Sequence, residues 1–215
     1  MSVVFDCSAT DRRRRGLISA AEAIAGGGLV VLPTDTVYGI GADAFTPDAT
    51  AAVLAAKGRG RDLPLPVLVG SWTGIDGLMT VVPEEVRALV RAFWPGALTL
   101  VVEHARSLAW DLGDARGSVA VRMPLHPVAL ELLERTGPLA VSSANRTGQP
   151  PATTARQARD QLGETVQVYL DAGPTASALA STILDVTLSP PRLLRAGAVS
   201  LADLREVVPD VQALA

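Results

Sequence analysis

The stretch Leu29-Val30-Val31-Leu32-Pro33-Thr34-Asp35-Thr36-Val37-Tyr38-Gly39-Ile40-Gly41 joins four apolar residues to a segment dense in side-chain oxygens. Leu29 to Leu32 reads as a short strand. Pro33 ends it, because proline has no N–H to give to a ladder. Two hydroxyls, an acid and a phenol then sit between that proline and two glycines. Loops presented by a rigid strand often carry function, although an ordinary strand-to-helix loop has the same pattern.

Strands and helices continue on both sides of this segment. Leu17 to Ala25 reads as a helix stopped by Gly26-Gly27-Gly28. Thr46-Pro47-Asp48 opens a helix to about Lys57, with a hydroxyl N-cap, a first-turn proline and an acid facing the positive end of the dipole. Leu65 to Val69 reads as a buried strand, and Pro83 to Phe93 as a helix closed by Trp94-Pro95-Gly96. Ala97 to Glu103 and Ser118 to Arg122 are strands rich in β-branched residues. Pro127 to Arg135 is an amphipathic helix, followed by a strand at Leu139 to Ser142. A helix at Thr154 to Leu162 precedes strands at Thr165 to Asp171, Ser181 to Val186 and Arg192 to Arg195, and Ser200 caps a last short helix. This mixture, without internal repeats, predicts one α/β (α+β) domain over residues 1–215: a twisted, open, mixed sheet flanked by helices. Pro174 to Ala180 reads as a mobile loop.

A chain of 215 residues with 48% hydrophobic content and mean hydropathy +0.30 can bury a large core. Only 4% is aromatic, so that core is aliphatic. A net charge of −3 gives no general attraction to nucleic acid. The Arg12 to Arg15 run is a local exception, and a solvated face is its commoner role. The single cysteine, Cys7, excludes an internal disulfide and fits a reducing compartment. No apolar run reaches the roughly 18 to 20 residues of a membrane span, and Asp6 with four arginines argues against a signal peptide. A cytoplasmic protein without membrane contact is expected.

Lys57 is the one lysine beside eighteen arginines. It sits in Lys57-Gly58-Arg59-Gly60-Arg61, where glycines between cations let backbone approach an anion. A solvated basic turn is the plain alternative. Ser142-Ser143-Ala144-Asn145-Arg146-Thr147-Gly148 follows an apolar strand; Asn145 there can donate and accept, which suits a base or ribose, but such stretches also form turns. Arg122 ends a strand, Ser181 opens one, and Arg195 precedes Ala196-Gly197. Two separated histidines and one cysteine make no convincing zinc site. There is no nucleophile elbow, Walker A loop or dinucleotide fingerprint. The inventory favours chemistry by positioning and charge, as in phosphoryl and nucleotidyl transfer.

Taken together the segments resemble the YrdC-like family of threonylcarbamoyl-AMP synthases, in its short single-domain form. The resemblance runs from about Gly28 to Gly197. It rests on Pro-Thr-Asp-Thr-Val-Tyr-Gly-Ile-Gly, Lys-Gly-Arg, Phe-Trp-Pro-Gly-Ala-Leu-Thr-Leu (Phe93 to Leu100) and Val-Ala-Val-Arg-Met-Pro (Val119 to Pro124). Ser-Ala-Asn-Arg-Thr-Gly (Ser143 to Gly148), Ser-Thr-Ile-Leu-Asp (Ser181 to Asp185) and Leu-Arg-Ala-Gly (Leu194 to Gly197) complete it. It implies a concave basic cleft and a reaction in which L-threonine, bicarbonate and ATP give threonylcarbamoyl-AMP and pyrophosphate. A downstream transferase would use that product to modify adenosine 37 of tRNA, with weak tRNA contact a further expectation. By motif, Lys57 and Arg59 would be catalytic and would face the triphosphate with Arg61. Ser118, Asn145, Thr153 and Arg195 would hold the nucleotide, while Thr34, Arg122, Ser143 and Ser181 would surround threonine and its carbamate. Mg²⁺ would come with ATP, held mainly by phosphates rather than by protein ligands.

The chain departs from the family pattern at three places. Leu63 and Leu68 stand where many relatives have Asn and His, and Ala180 where relatives often have Glu. Two other readings remain at this level: a carbamoyl-adenylate-forming module, as in hydrogenase maturation and antibiotic carbamoylation, and a non-catalytic RNA-binding protein.

Overall fold

The computed structural model describes residues 2–176 and 179–214. Among them, ten strands join in one mixed sheet. In chain order these are β1 (Val3–Asp6), β2 (Val30–Leu32), β3 (Gly39–Asp43), β4 (Val67–Leu68), β5 (Leu98–Glu103), β6 (Ser118–Arg122), β7 (Leu139–Ser143), β8 (Val168–Asp171), β9 (Thr182–Asp185) and β10 (Arg192–Arg195). The helices are α1 (Thr10–Ala25), α2 (Pro47–Lys57), α3 (Gly74–Leu78), α4 (Glu84–Phe93), α5 (Pro127–Thr136), α6 (Ala155–Leu162) and α7 (Leu201–Val207). Across the sheet the order is β1-β8-β2-β3-β7-β4-β6-β5-β9-β10.

The two faces of the sheet are covered unequally. On one, Val31, Ile40, Val67, Ala140, Val121, Leu100 and Leu184 belong to a large aliphatic core. That core also takes in Val53 of α2, Leu89 of α4, Ala158 of α6 and Leu204 of α7. On the other, Val30, Leu32, Leu68, Leu139, Val141 and Leu170 pack with Leu17, Ala20 and Ile24 of α1 and with Leu132 and Leu133 of α5. Each of the valine, leucine and isoleucine side chains contributes roughly 1.5–3 kcal/mol on burial. This second core contains no buried residue from β5, β6, β9 or β10. Four of the ten strands are therefore left without a helical cover on this face.

Several segments differ from the sequence reading. Helix α1 begins at Thr10 rather than Leu17, so the arginine run forms its first turns, with Arg12, Arg14 and Arg15 exposed. Thr46 precedes α2 as expected, but its hydroxyl donates to Asp43 Oδ2 (2.6 Å) instead of capping the helix. Ser200 does cap α7, in a reciprocal capping box with Asp203. Edge strand β1 and the five-residue α3 were not anticipated. Two residues of Pro174 to Ala180, 177 and 178, lie outside the described residues.

The main difference is at the opening motif. Pro33 to Gly41 is a strand-loop-strand unit, with β2 and β3 antiparallel, rather than a strand-to-helix loop. Gly39 and Gly41 lie in β3, beside β7. A Cβ on Gly39 would come within 2.6 Å of Val141 Cγ1, and one on Gly41 within 2.7 Å of Val141 Cγ2. The two glycines make room for one branched side chain. Gly41→Ala should therefore lower stability by about 1–3 kcal/mol in urea unfolding through overpacking. Adding Val141→Ala should recover part of that loss, and an unchanged midpoint for Gly41→Ala alone would contradict the packing account.

Candidate active site

The uncovered strands, with Leu68 and Val141 beside them, form the floor of a cavity of about 210 Å³. The strand registers set a row of residues across it. Gly41 pairs with Val141, Leu68 with both Leu139 and Arg122, Thr99 with Ile183, and Ile183 with Arg195. Leu100 pairs with Val121, which brings Thr99 beside Arg122 at the next step. Paired residues in a sheet share a face. Val141, Leu68, Arg122, Thr99, Ile183 and Arg195 all line the cavity. Thr34, Thr36, Ser142, Ser143, Ser181 and Arg59 join them from strand ends and loops.

Arg122 is 6% exposed and fixed on three sides. Its Nε donates to Gly96 O (2.9 Å), one Nη to Thr36 Oγ1 (2.9 Å), and the other pairs with Asp35. Asp35 also accepts from Leu125 N (2.9 Å), so the acid of the opening motif orients a strand-end arginine. Thr34 donates to Val37 O (2.6 Å), which leaves Thr36 as donor in the 3.0 Å contact between the two hydroxyls. A directed chain thus runs from Arg122 through Thr36 and Thr34 to the backbone. A guanidinium has five N–H groups, so Arg122 keeps donors for a ligand beyond these three bonds.

Arg195 grips the opposite wall. Its Nε and Nη2 donate to Ser181 O (2.9 and 2.7 Å), and Nη2 also to Ser181 Oγ (2.9 Å). Ser181 Oγ lies 2.8 Å from Thr99 Oγ1. Gly197 permits this closeness, since a Cβ there would fall 2.5 Å from Ala180 O. Burial is the first cause lowering the pKa of Arg59, Arg122 and Arg195, and for Arg195 the charges of Arg122 and Arg59 add to it. Arginine stays charged regardless. The direction marks positive charge that an anion would relieve.

Lys57 ends α2 and is 3% exposed. Its Nζ donates to Ser143 O and to Asn145 O (2.6 Å), tying the helix end to the Ser-Ala-Asn turn. Burial first, and then the charge of Arg59, lowers its pKa to about 8. Arg59 holds Leu63 O (2.7 Å), Pro64 O (3.1 Å) and Ser142 Oγ (3.2 Å). Asn145 donates to Arg146 O (2.9 Å) and Gln149 O (2.8 Å), while its buried Oδ1 has no partner. That orphan acceptor suits a ligand N–H or O–H.

The expected residues thus fall into groups. Thr34, Arg122, Ser143, Ser181, Arg59 and Arg195 line one cavity. Lys57 and Asn145 sit behind its Ser143 edge and do not line it. Ser118 shares the sheet face of Arg122 four residues back along β6, about 13 Å away at ~3.3 Å per residue. Thr153 lies outside the lining, its hydroxyl 3.0 Å from Gln157 Oε1. Arg61 lies outside the lining: exposed, it forks onto Asp111 (2.7 and 3.1 Å), a pairing that raises its pKa. The sequence reading gave no role to Asp35, Thr36 or Thr99. All three stood in quoted motifs, but Thr99 looked like any β-branched strand residue. Among the described residues no group of three or more His, Cys, Asp or Glu is placed to hold a metal ion.

A Sua5/YciO/YrdC family profile, described as "Telomere recombination", matches residues 22–197. The chain belongs to this family. It is 63% identical over 208 residues to a Mycobacterium leprae (strain TN) protein named "Putative threonylcarbamoyl-AMP synthase", spanning 97% of this chain and 94% of that protein. It is 37% identical over 194 residues to the threonylcarbamoyl-AMP synthase of Pyrococcus abyssi, covering 90% of this chain and 57% of that one. The crystal structure of P. abyssi Sua5 complexed with L-threonine superposes with a TM-score of 0.93 at 34% identity, over 99% of this chain and 62% of that one. Escherichia coli YciO shares the fold, with a TM-score of 0.84 at 21% identity over 95% of this chain and all of that one.

As the one lysine in this family member, Lys57 can be followed alone by ¹³C-lysine NMR. Its resonance should titrate near pH 8 rather than near the ordinary 10.5. Between those values the unfolded chain binds more protons, so folding stability should rise with pH across that window. A midpoint above about pH 10 would contradict the buried geometry.

Proposed function

We propose that this chain is a threonylcarbamoyl-AMP synthase, joining L-threonine, bicarbonate and ATP into L-threonylcarbamoyl-AMP with release of pyrophosphate. The observation that carries the reading is the cavity: Arg59, Arg122 and Arg195 line it among hydroxyls, and among the described residues no carboxylate lines it. Such a site suits a substrate bearing several negative charges. L-Threonine as carbamate carries two carboxylate-type groups, and ATP brings the phosphates.

In this reading the threonine amine first combines with CO2 drawn from bicarbonate to give a carbamate. A carbamate oxygen then attacks the α-phosphorus, the bond to the β-phosphate oxygen breaks, and pyrophosphate leaves. Arg122 would hold the threonine carboxylate with its remaining N–H donors, kept in place by Asp35 and Thr36. Ser143, Ser181 and Thr34 would surround the rest of threonine and its carbamate. Arg59 would meet developing charge at the phosphates, where fixed donors stabilise a transition state most effectively. Lys57 would act there through its third N–H and by positioning Ser143 and Asn145. Asn145, Ser118, Thr153 and Arg195 would contact the nucleotide, Ser118 from farther along the same sheet face. Mg²⁺ is assigned to the ATP phosphates and would neutralise charge on them. The product, a reactive mixed anhydride, would pass to a transferase acting on tRNA. A weak contact with tRNA belongs to the same reading. No described helix is long and apolar enough to cross a membrane.

The test is pyrophosphate release from ATP, Mg²⁺ and bicarbonate with each amino acid in turn, with products identified by mass. A threonine-dependent carbamoyl-adenylate is expected; turnover with carbamoyl phosphate instead of threonine would move the chain to carbamoyl adenylation. Arg122→Lys keeps the charge but loses the planar fork. It should raise the threonine KM at least about tenfold, since bonds to charged groups are worth roughly 1.5–3 kcal/mol. The ATP KM should change by less than about twofold, and equal effects on both substrates would contradict the role of Arg122.

A further inference from the structure

Arg122 has chemically opposite neighbours on the cavity floor. On one side Leu68 pairs with it across β4 and β6, only 5% exposed, and Pro66 and Val141 extend that apolar wall. On the other side stands Thr99, within 2.8 Å of the Ser181 hydroxyl. Adjacent strands lie about 4.8 Å apart. A carboxylate gripped by Arg122 therefore sits between a branched aliphatic side chain and a pair of hydroxyls. The β-carbon of threonine carries one methyl and one hydroxyl, and this floor offers a partner for each.

We propose that Leu68 is a specificity-determining residue that reads the β-methyl of the amino acid, while its β-hydroxyl faces Thr99 and Ser181. This deepens the synthase reading and rests on its placement of the carboxylate at Arg122. Leu68 does not touch the reacting atoms; it sets which amino acid is held. L-Serine lacks the methyl and leaves the wall facing a gap. L-allo-Threonine reverses the two groups, directing a methyl at the hydroxyls and a hydroxyl at Leu68. One methyl in an apolar pocket discriminates by about 10- to 200-fold.

The test measures calorimetric Kd values for L-threonine, L-serine and L-allo-threonine on the full chain and two variants. The unaltered chain should bind threonine at least about tenfold more tightly than either analogue. Leu68→Ala should weaken threonine about tenfold and leave serine nearly unchanged, bringing the two within about threefold. Because Leu68 also packs against the α5 core, Leu68→Val serves as the milder variant. It should shift the same ratio in the same direction by a smaller factor, with both melting curves confirming folded protein. If both amino acids weaken equally in both variants, or the ratio does not move, Leu68 does not read the methyl. Pyrophosphate release is scored separately. Selective threonine binding that follows Leu68 without pyrophosphate release would overturn the synthase reading and leave the Leu68 assignment standing.

Discussion

Arg122 carries a full charge into the floor of a ten-stranded sheet, and its surroundings are organised around holding it there. A buried guanidinium without partners would be heavily destabilising. Asp35, Thr36 and Gly96 meet it from separate parts of the chain, and this ties the opening loop to the end of β6. The pairing leaves part of the guanidinium aimed at the cavity instead of neutralised on all sides. Arg195 feels the charges of Arg122 and Arg59, and neither Arg195 nor Arg59 has a carboxylate ion pair among the described residues.

The site exists because helices cover only part of one sheet face. α1 and α5 pack on that face against residues of β2, β4, β7 and β8, and Leu68 and Val141 at the edge of this core also line the cavity. Beyond them, Arg122, Thr99, Ile183 and Arg195 replace what would otherwise be another aliphatic layer. Rigid strands fix these side chains at regular spacing, so the polar floor is organised before a ligand arrives. Placing a site on strands rather than on loops favours precise geometry. Lys57 adds a second fixed link, because its ammonium joins the end of α2 to the turn after β7.

The sequence made the punctuated elements legible. Proline and acid at the start of α2, β-branched residues in β6 and the serine cap of α7 all lead to the observed segments. β3 was hidden because Gly39 and Gly41 have poor strand propensity, and only the bulk of Val141 on the neighbouring strand explains them. The arginine run hid the start of α1, since nothing apolar there marks a helix face. For the site, motif resemblance named six of the eighteen residues that line the cavity. It gave Thr99 no role, although Thr99 stands in the quoted Phe93 to Leu100 motif, because register against Arg122 is what places it on the cavity floor.

The account depends most on where the amino-acid carboxylate sits. A crystal structure of the full chain with L-threonine and a non-hydrolysable ATP analogue tests it directly. The account predicts the carboxylate within hydrogen-bond distance of the Arg122 guanidinium, with the phosphates toward Arg59 and the Ser-Ala-Asn turn. Threonine bound away from Arg122, or phosphates lying where the carboxylate is expected, would contradict it.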